Sequence, residues 1–104
     1  MPVPEANPRA SLDAVVRGRV QGVGFRYFVL DLATELSLVG WVANHLDGSV
    51  RCVAEGPRAD LESLLEALRR GPRGGRVDDV LVTWGPPHGT FDRFSVRAGS
   101  HPGD

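Results

Sequence analysis

A glycine-rich stretch that ends in an arginine carries the clearest chemical signal in this sequence. Residues 18–26 read GRVQGVGFR and lie between a strand-like apolar stretch and a helix-like one. Glycine lets successive backbone N–H groups converge on one point beside the positive end of a helix, and an arginine fork can bind two oxygens of the same anion. We therefore predict a phosphate site formed by Gln21, Gly22, Val23, Gly24, Phe25 and Arg26.

Ordinary structural roles are the alternative for these residues. Arg26 could simply occupy a first helical turn, but a cation there is unfavourable by ~0.3–1 kcal/mol without an anion or acidic partner, which favours the phosphate interpretation. The two glycines could merely turn the chain. The stretch lacks the third glycine of a dinucleotide fingerprint and the Gly-Lys-Ser/Thr ending of a nucleotide P-loop, so we expect no nucleotide and no cofactor.

Asn44 is the second candidate for chemistry. Residues 40–48 read GWVANHLDG, which predicts a strand ending at Asn44 and a tight turn at Asp47 and Gly48. The Asn44 amide could hold an attacking water where a carboxylate would repel the phosphate. An asparagine at a strand end can equally bond to its local backbone and start the turn, and these residues alone do not decide between the two roles.

The other reactive side chains predict no second site. Strand alternation should point His45 away from Asn44, and His88 and His101 have no partners at metal-ligand spacing, so we predict no metal site. Cys52 shares a strand face with apolar residues and is predicted to be a small buried side chain. All basic residues are arginine, which excludes Schiff-base chemistry and a lysine-based phosphate site.

Composition limits the class of protein. A chain of 104 residues that is 41% hydrophobic suits one domain, which we place at residues 12–97 between a flexible leader, 1–11, and a flexible tail, 98–104. The net charge of −1 with interspersed signs disfavours a nucleic-acid partner. The lone cysteine and the lack of a signal-like or ~20-residue apolar stretch predict a cytoplasmic protein without a membrane partner, and we expect a monomer.

Apolar periodicity predicts the elements that must position the candidate residues. In chain order they are a strand from about Leu12, a helix from Phe25, strands at 38–44 and 49–55, a helix with Pro57 in its first turn, and strands at 77–84 and 91–97. This order predicts an α+β, ferredoxin-like split βαβ sandwich with two helices on one face of an antiparallel sheet. That architecture supports many functions, so function must be argued from the site.

Residues 18–26 and 40–48 together resemble the two signatures of the acylphosphatase family, and the likeness extends over about residues 13–97. The resemblance implies metal-independent hydrolysis of a small acyl phosphate to a carboxylate and inorganic phosphate. It also implies that Arg26 binds the substrate phosphate, that residues 18–24 form its cradle, and that Asn44 positions the water for in-line attack. Some relatives end at the position of Ala98, whereas this chain continues to Asp104.

Three alternatives from other classes stay open beside this interpretation. The first is a noncatalytic ferredoxin-like module that binds an anion through Arg26. The second is a domain similar to the acylphosphatase-like part of carbamoyltransferase maturation proteins, although this chain lacks zinc-type cysteine pairs and large downstream domains. The third is an RNA-binding sandwich, which the near-neutral charge disfavours.

Overall fold

Five strands and two helices form the part of the chain that the computed structural model describes, residues 8–98. In chain order they are β1 Arg9–Arg19, α1 Phe25–Glu35, β2 Val39–Asn44, β3 Val50–Pro57, α2 Arg58–Arg70, β4 Arg76–Gly85 and β5 Phe94–Arg97. This order confirms the split βαβ prediction with its terminal strand. Residues 1–7 of the expected leader and 99–104 of the expected tail lie outside the described residues.

The sheet is mixed, which corrects the prediction of an antiparallel sheet. Its strand order is β4-β1-β3-β2-β5, and β5 runs parallel to β2 while every other pair is antiparallel. The reason lies in the connection after β4. Strand β4 ends opposite Ser11, at the end of the sheet where β2 begins, and residues 86–93 cross to the far edge at that same end. Strand β5 must therefore start beside the start of β2 and run in its direction.

The core lies between the sheet and the two helices. Alternate residues of β1 and β3 face the helices, among them Leu12, Val16 and Cys52, all fully buried. Each helix contributes an apolar stripe, made of Phe25, Val29 and Ala33 in α1 and of Leu61, Leu64, Leu65 and Leu68 in α2. Burial raises the pKa of the Cys52 thiol to about 12, so this residue is the inert core side chain that the strand pattern predicts.

Several element boundaries differ from the predicted ones. Strand β1 begins at Arg9 rather than near Leu12, because residues 9–11 pair with residues 55–57 of β3 although they show no apolar alternation. Pro57 is the last residue of β3 and the N-cap of α2 rather than a residue of its first turn. Strand β5 begins at Phe94, three positions after the predicted start at 91.

The end of α1 sets the direction in which the chain enters β2. The Leu38 N–H donates to the Ala33 carbonyl at 2.9 Å, and the Ser37 N–H donates to the Thr34 carbonyl at 3.0 Å. This pair of bonds is the Schellman motif, which needs a left-handed residue after the helix. Ser37 fills that position with a φ of 58°, where glycine is the usual residue. No helix among residues 8–98 is long and apolar enough to cross a membrane.

Candidate active site

A cavity of about 160 Å³ lies where β1, the start of α1 and the end of β2 meet. Its lining residues are Val20, Gly22, Gly24, Phe25, Arg26, Tyr27 and Asn44. The structure therefore brings Arg26 and Asn44, which are far apart in the sequence, to one cavity. Of the six residues predicted to hold a phosphate, only Gln21 and Val23 are absent from this lining.

The loop between β1 and α1 depends on two glycines in the left-handed region. Gly22 has a φ of 75°, and Gly24, the N-cap of α1, has a φ of 77°. A Cβ added at either position would meet no atom within 4 Å, so space does not require glycine there. The backbone conformation does, because other residues rarely adopt it. The two glycines bend the loop so that its backbone lines the cavity.

Backbone donors at the start of α1 have no protein partner in the described part of the chain. The first hydrogen bond of the helix runs from the Phe28 N–H to the Gly24 carbonyl, and no N–H group of residues 21–27 donates to a protein acceptor there. Gly24 has no side chain to cap the helix, and the first turn contains no acidic residue. The positive end of an 11-residue helix is thus uncompensated beside the cavity.

Arg26 adds a formal positive charge to these donors. It is half-buried, and its one hydrogen bond within residues 8–98 is a long contact of 3.5 Å from Nη1 to the Arg97 carbonyl. No acidic side chain in that range forms an ion pair with it. A cation in a first helical turn with no acidic partner is unfavourable by itself. Within the described residues, the positive charge of Arg26 beside the cavity is therefore uncompensated.

Asn44 does not take the turn-starting role that was its alternative. The turn after β2 is closed by Asp47, whose Oδ1 accepts from the Ser49 N–H at 2.9 Å and from its hydroxyl at 2.6 Å. These two bonds also hold the pKa of Asp47 below its ordinary range. The Asn44 side chain bonds to no protein group among the described residues, so its amide is available at the cavity.

Gln21 extends its side chain away from the cavity. Its Nε2 donates to the His45 carbonyl at 2.7 Å and to the Ser49 carbonyl at 2.9 Å, on the turn that follows Asn44. Only the backbone N–H of Gln21 thus remains for a phosphate. The Val23 side chain packs against the core instead of lining the cavity, which leaves its backbone N–H as its one donor as well.

Tyr27 lines the cavity but was not predicted to be a site residue. It is 61% exposed and directly follows Arg26 in the first turn of α1. The one sequence feature that could have indicated Tyr27 as a site residue is its position next to Arg26. The carbonyl of Arg97, at the end of β5, also lies near this site, 3.5 Å from Nη1 of Arg26. In the sequence, the only signal for this part of the chain was that some relatives end at the position of Ala98.

The remaining polar side chains lie elsewhere. His45 lines a separate groove of about 410 Å³ on the sheet face opposite the helices, together with Asp13 and Arg51. Those two form a bidentate ion pair, with nitrogen–oxygen distances of 3.0 and 2.6 Å. His88 is exposed. In the described range, no group of three or more His, Cys, Asp or Glu side chains is arranged to hold a metal ion. His101 lies outside that range.

Known proteins with similar sequences and structures identify the family. The Acylphosphatase family model matches residues 12–96. An acylphosphatase from Salinibacter ruber is 48% identical over 93 residues, which cover 89% of this chain and 98% of that protein.

Two solved structures give the same result. Acylphosphatase from Bacillus subtilis aligns with a TM-score of 0.82 and 43% identity, over 85% of this chain and 98% of that one. An acylphosphatase from Coxiella burnetii aligns with a TM-score of 0.77 and 36% identity, over 93% of this chain and all of that one. Both confirm the ferredoxin-like arrangement of two helices on one sheet. The chain belongs to the acylphosphatase family.

Proposed function

We propose that this protein hydrolyses acyl phosphates at the cavity between Arg26 and Asn44. The observation that carries the proposal is the meeting of three features in one cavity. Within residues 8–98 these are an arginine without an acidic partner, a helix start whose N–H groups have no protein acceptor, and an amide side chain without a protein partner. The cavity of about 160 Å³ is well below the ~300–1,000 Å³ of pockets for drug-sized ligands. It suits a phosphoryl group with its attacking water.

Arg26 and the loop hold the substrate phosphate in this proposal. The guanidinium binds two phosphate oxygens, and the N–H groups of residues 21–25 bind the remaining negative charge. Because these donors are fixed by the fold before substrate arrives, they stabilise the transition state without reorganising. Phosphoryl transfer asks mainly for such positioning and charge stabilisation, which this site can supply from arginine and backbone alone.

Asn44 positions the water that attacks phosphorus. The water oxygen forms a bond to phosphorus while the bond from phosphorus to the acyl oxygen breaks, and the carboxylate leaves with that electron pair. The proton of the water passes to a nonbridging phosphate oxygen, so no side-chain base is needed. The products are a carboxylate and inorganic phosphate. A carboxylate is a good leaving group, which explains a site without a general acid.

The proposal also covers the oligomeric state of the enzyme and its location in the cell. The proposed enzyme is a monomer, because Arg26, Asn44 and the loop N–H groups of one copy are sufficient for the proposed chemistry. The single cysteine, Cys52, is buried in the core and forms no disulfide, which is compatible with a cytoplasmic enzyme.

Hydrolysis of benzoyl phosphate in excess EDTA tests the proposal. We expect turnover by the wild type and a loss of about 10²–10³-fold in kcat/KM for Arg26→Ala, the scale for removing one transition-state donor. Asn44→Ala should lower kcat and leave the inhibition constant of inorganic phosphate near normal, because the phosphate donors remain. Arg9→Ala is the matched control, since Arg9 is an exposed arginine at the other end of β1.

Inorganic phosphate provides a second readout that does not depend on turnover. As a product that binds only the folded site, it should raise the Tm of the wild type and of Asn44→Ala but not that of Arg26→Ala. Folded wild type that binds phosphate without hydrolysing benzoyl phosphate would instead support a noncatalytic anion-binding module. Full activity in Arg26→Ala would refute the role given to Arg26.

A further inference from the structure

We propose that the Gln21 side chain is a positioning residue that fixes Asn44 relative to the phosphate loop. The inference rests on the proposed function, in which the loop holds the phosphate and Asn44 holds the water. Gln21 belongs to the loop through its backbone and to the turn after Asn44 through its side chain. It thereby joins the two halves of the site.

The two hydrogen bonds of the Gln21 side chain end beside Asn44 in the sheet. The Nε2 group donates to the carbonyl of His45, the next residue along the chain, at 2.7 Å. It also donates at 2.9 Å to the carbonyl of Ser49, which precedes Val50, the residue paired with Asn44 across the strands. A primary amide has two N–H donors, and both are used here. The link therefore holds both strands at the register position of Asn44.

The turn that receives these bonds is itself well fixed. The His45 N–H donates to the Ser49 carbonyl at 2.9 Å, and the Gly48 N–H donates to the His45 carbonyl at 3.1 Å. The Asp47 carboxylate adds its bonds to Ser49. Each of the two carbonyls accepts two donors, which matches its two lone pairs. Gln21 thus attaches the phosphate loop to a closed turn rather than to a freely moving segment.

No other side-chain hydrogen bond in the described part of the chain joins residues 18–24 to residues 44–49. In-line attack requires the water and the phosphorus to keep their distance and angle, and a misplacement of about 1 Å can cost ~10²-fold in rate. The rate of hydrolysis therefore depends on the spacing between the phosphate loop and Asn44. Gln21 controls this spacing without touching the substrate through its side chain.

Gln21→Met is the sharpest test, because methionine is neutral, has a similar length and removes both donors. We expect kcat for benzoyl phosphate to fall about 10-fold. The inhibition constant of inorganic phosphate should change by less than about 3-fold, since Arg26 and the loop N–H groups remain. Gln21→Asn should behave like Gln21→Met, because its amide is one methylene too short to reach the two carbonyls. A double variant with Asn44→Ala should show no further loss of kcat beyond that of Asn44→Ala, as expected for residues that act as a unit.

Glu55→Gln is the matched control for stability, since Glu55 lies at the other end of β3 and is not part of the site. It should lower Tm and leave kcat unchanged. If Gln21→Met lowers Tm with normal kcat, Gln21 is merely structural and the inference is overturned. An equal loss of kcat in the Asn44→Ala background also overturns it, because Gln21 would then act through another group. Normal kcat in Asn44→Ala alone would overturn the proposed role of Asn44, and this inference with it.

Discussion

Replacing Glu55 by glutamine should destabilise the protein more than a surface change of the same kind. Glu55 is 1% exposed, and its carboxylate binds the connection between β4 and β5. Oε2 accepts from the His88 N–H and Oε1 from the Gly89 N–H, both at 3.0 Å. Glutamine has a single carbonyl oxygen and an NH₂ group that can only donate. In either orientation, one of the two backbone N–H groups would face another donor.

The expected loss follows from these two bonds. A hydrogen bond to a charged group contributes ~1.5–3 kcal/mol, and one between neutral groups contributes ~0.5–1.5 kcal/mol. One bond is lost and the other becomes neutral, so we expect a loss of about 2–3 kcal/mol in the free energy of unfolding. With an unfolding entropy of about 2.1 cal/mol/K per residue over roughly 90 residues, Tm should fall by about 10–15 °C.

Urea denaturation at pH 7 measures this loss through the midpoint at constant m. Glu62→Gln is the control, because Glu62 is exposed and its ion pair with Arg58 is long, at 3.7 Å. An exposed helical pair contributes less than about 0.5 kcal/mol. Amide hydrogen exchange at His88 and Gly89 should also be faster in Glu55→Gln. Equal midpoints for the two variants, or unchanged exchange at these amides, would refute the account of Glu55.

Two further predictions concern the turns that flank β2. Ser37→Gly should raise the free energy of unfolding by about 0.5–1 kcal/mol, because glycine adopts the left-handed φ of 58° without strain. The midpoint of urea denaturation measures this change, and a lower midpoint in the variant would contradict the reasoning. Bonds from the Ser49 hydroxyl and N–H lower the pKa of Asp47, so its contribution to stability is present above about pH 4 and is lost as pH falls through its folded-state pKa. Asp47→Asn should therefore flatten the dependence of unfolding free energy on pH below about 4, and an unchanged dependence would show that Asp47 has no part in it.

The sequence predicted the elements whose patterns are local. Alternation along β1 and β3 and the apolar stripes of the helices are properties of neighbouring residues, and they gave the order of strands and helices. The parallel direction of β5 was not predicted, because it depends on where residues 86–93 cross the sheet. That path is fixed partly by Glu55, whose bonds to His88 and Gly89 link positions more than thirty residues apart.

The residues of the site also fall into those that a local sequence pattern reveals and those that only the folded structure reveals. Arg26 and the two glycines could be selected because the chemistry of an anion site is visible within one short stretch. The sequence did not decide between the two roles of Asn44. The structure shows that the turn is closed by Asp47, three residues further on. The contact of Gln21 with residues 45 and 49 had no signal in its own neighbourhood, since it crosses between segments that meet only in the folded protein.

A comparison of the two helices gives an independent argument for where the function lies. Helix α2 also begins with a cation, Arg58, but its first turn contains Asp60, and Glu62 forms an ion pair with Arg58 at 3.7 Å. Two arginines lie in its last turn, where cations are favoured. Neither helix has a side-chain cap at its start, but the first turn of α1 contains no acidic residue, and Arg26 forms no ion pair among residues 8–98. Both helices bury a similar apolar stripe, so packing does not explain the difference. A cation in a first helical turn with no acidic group to compensate it among residues 8–98 indicates a functional constraint, and the proposed phosphoryl group would supply the missing negative charge at α1.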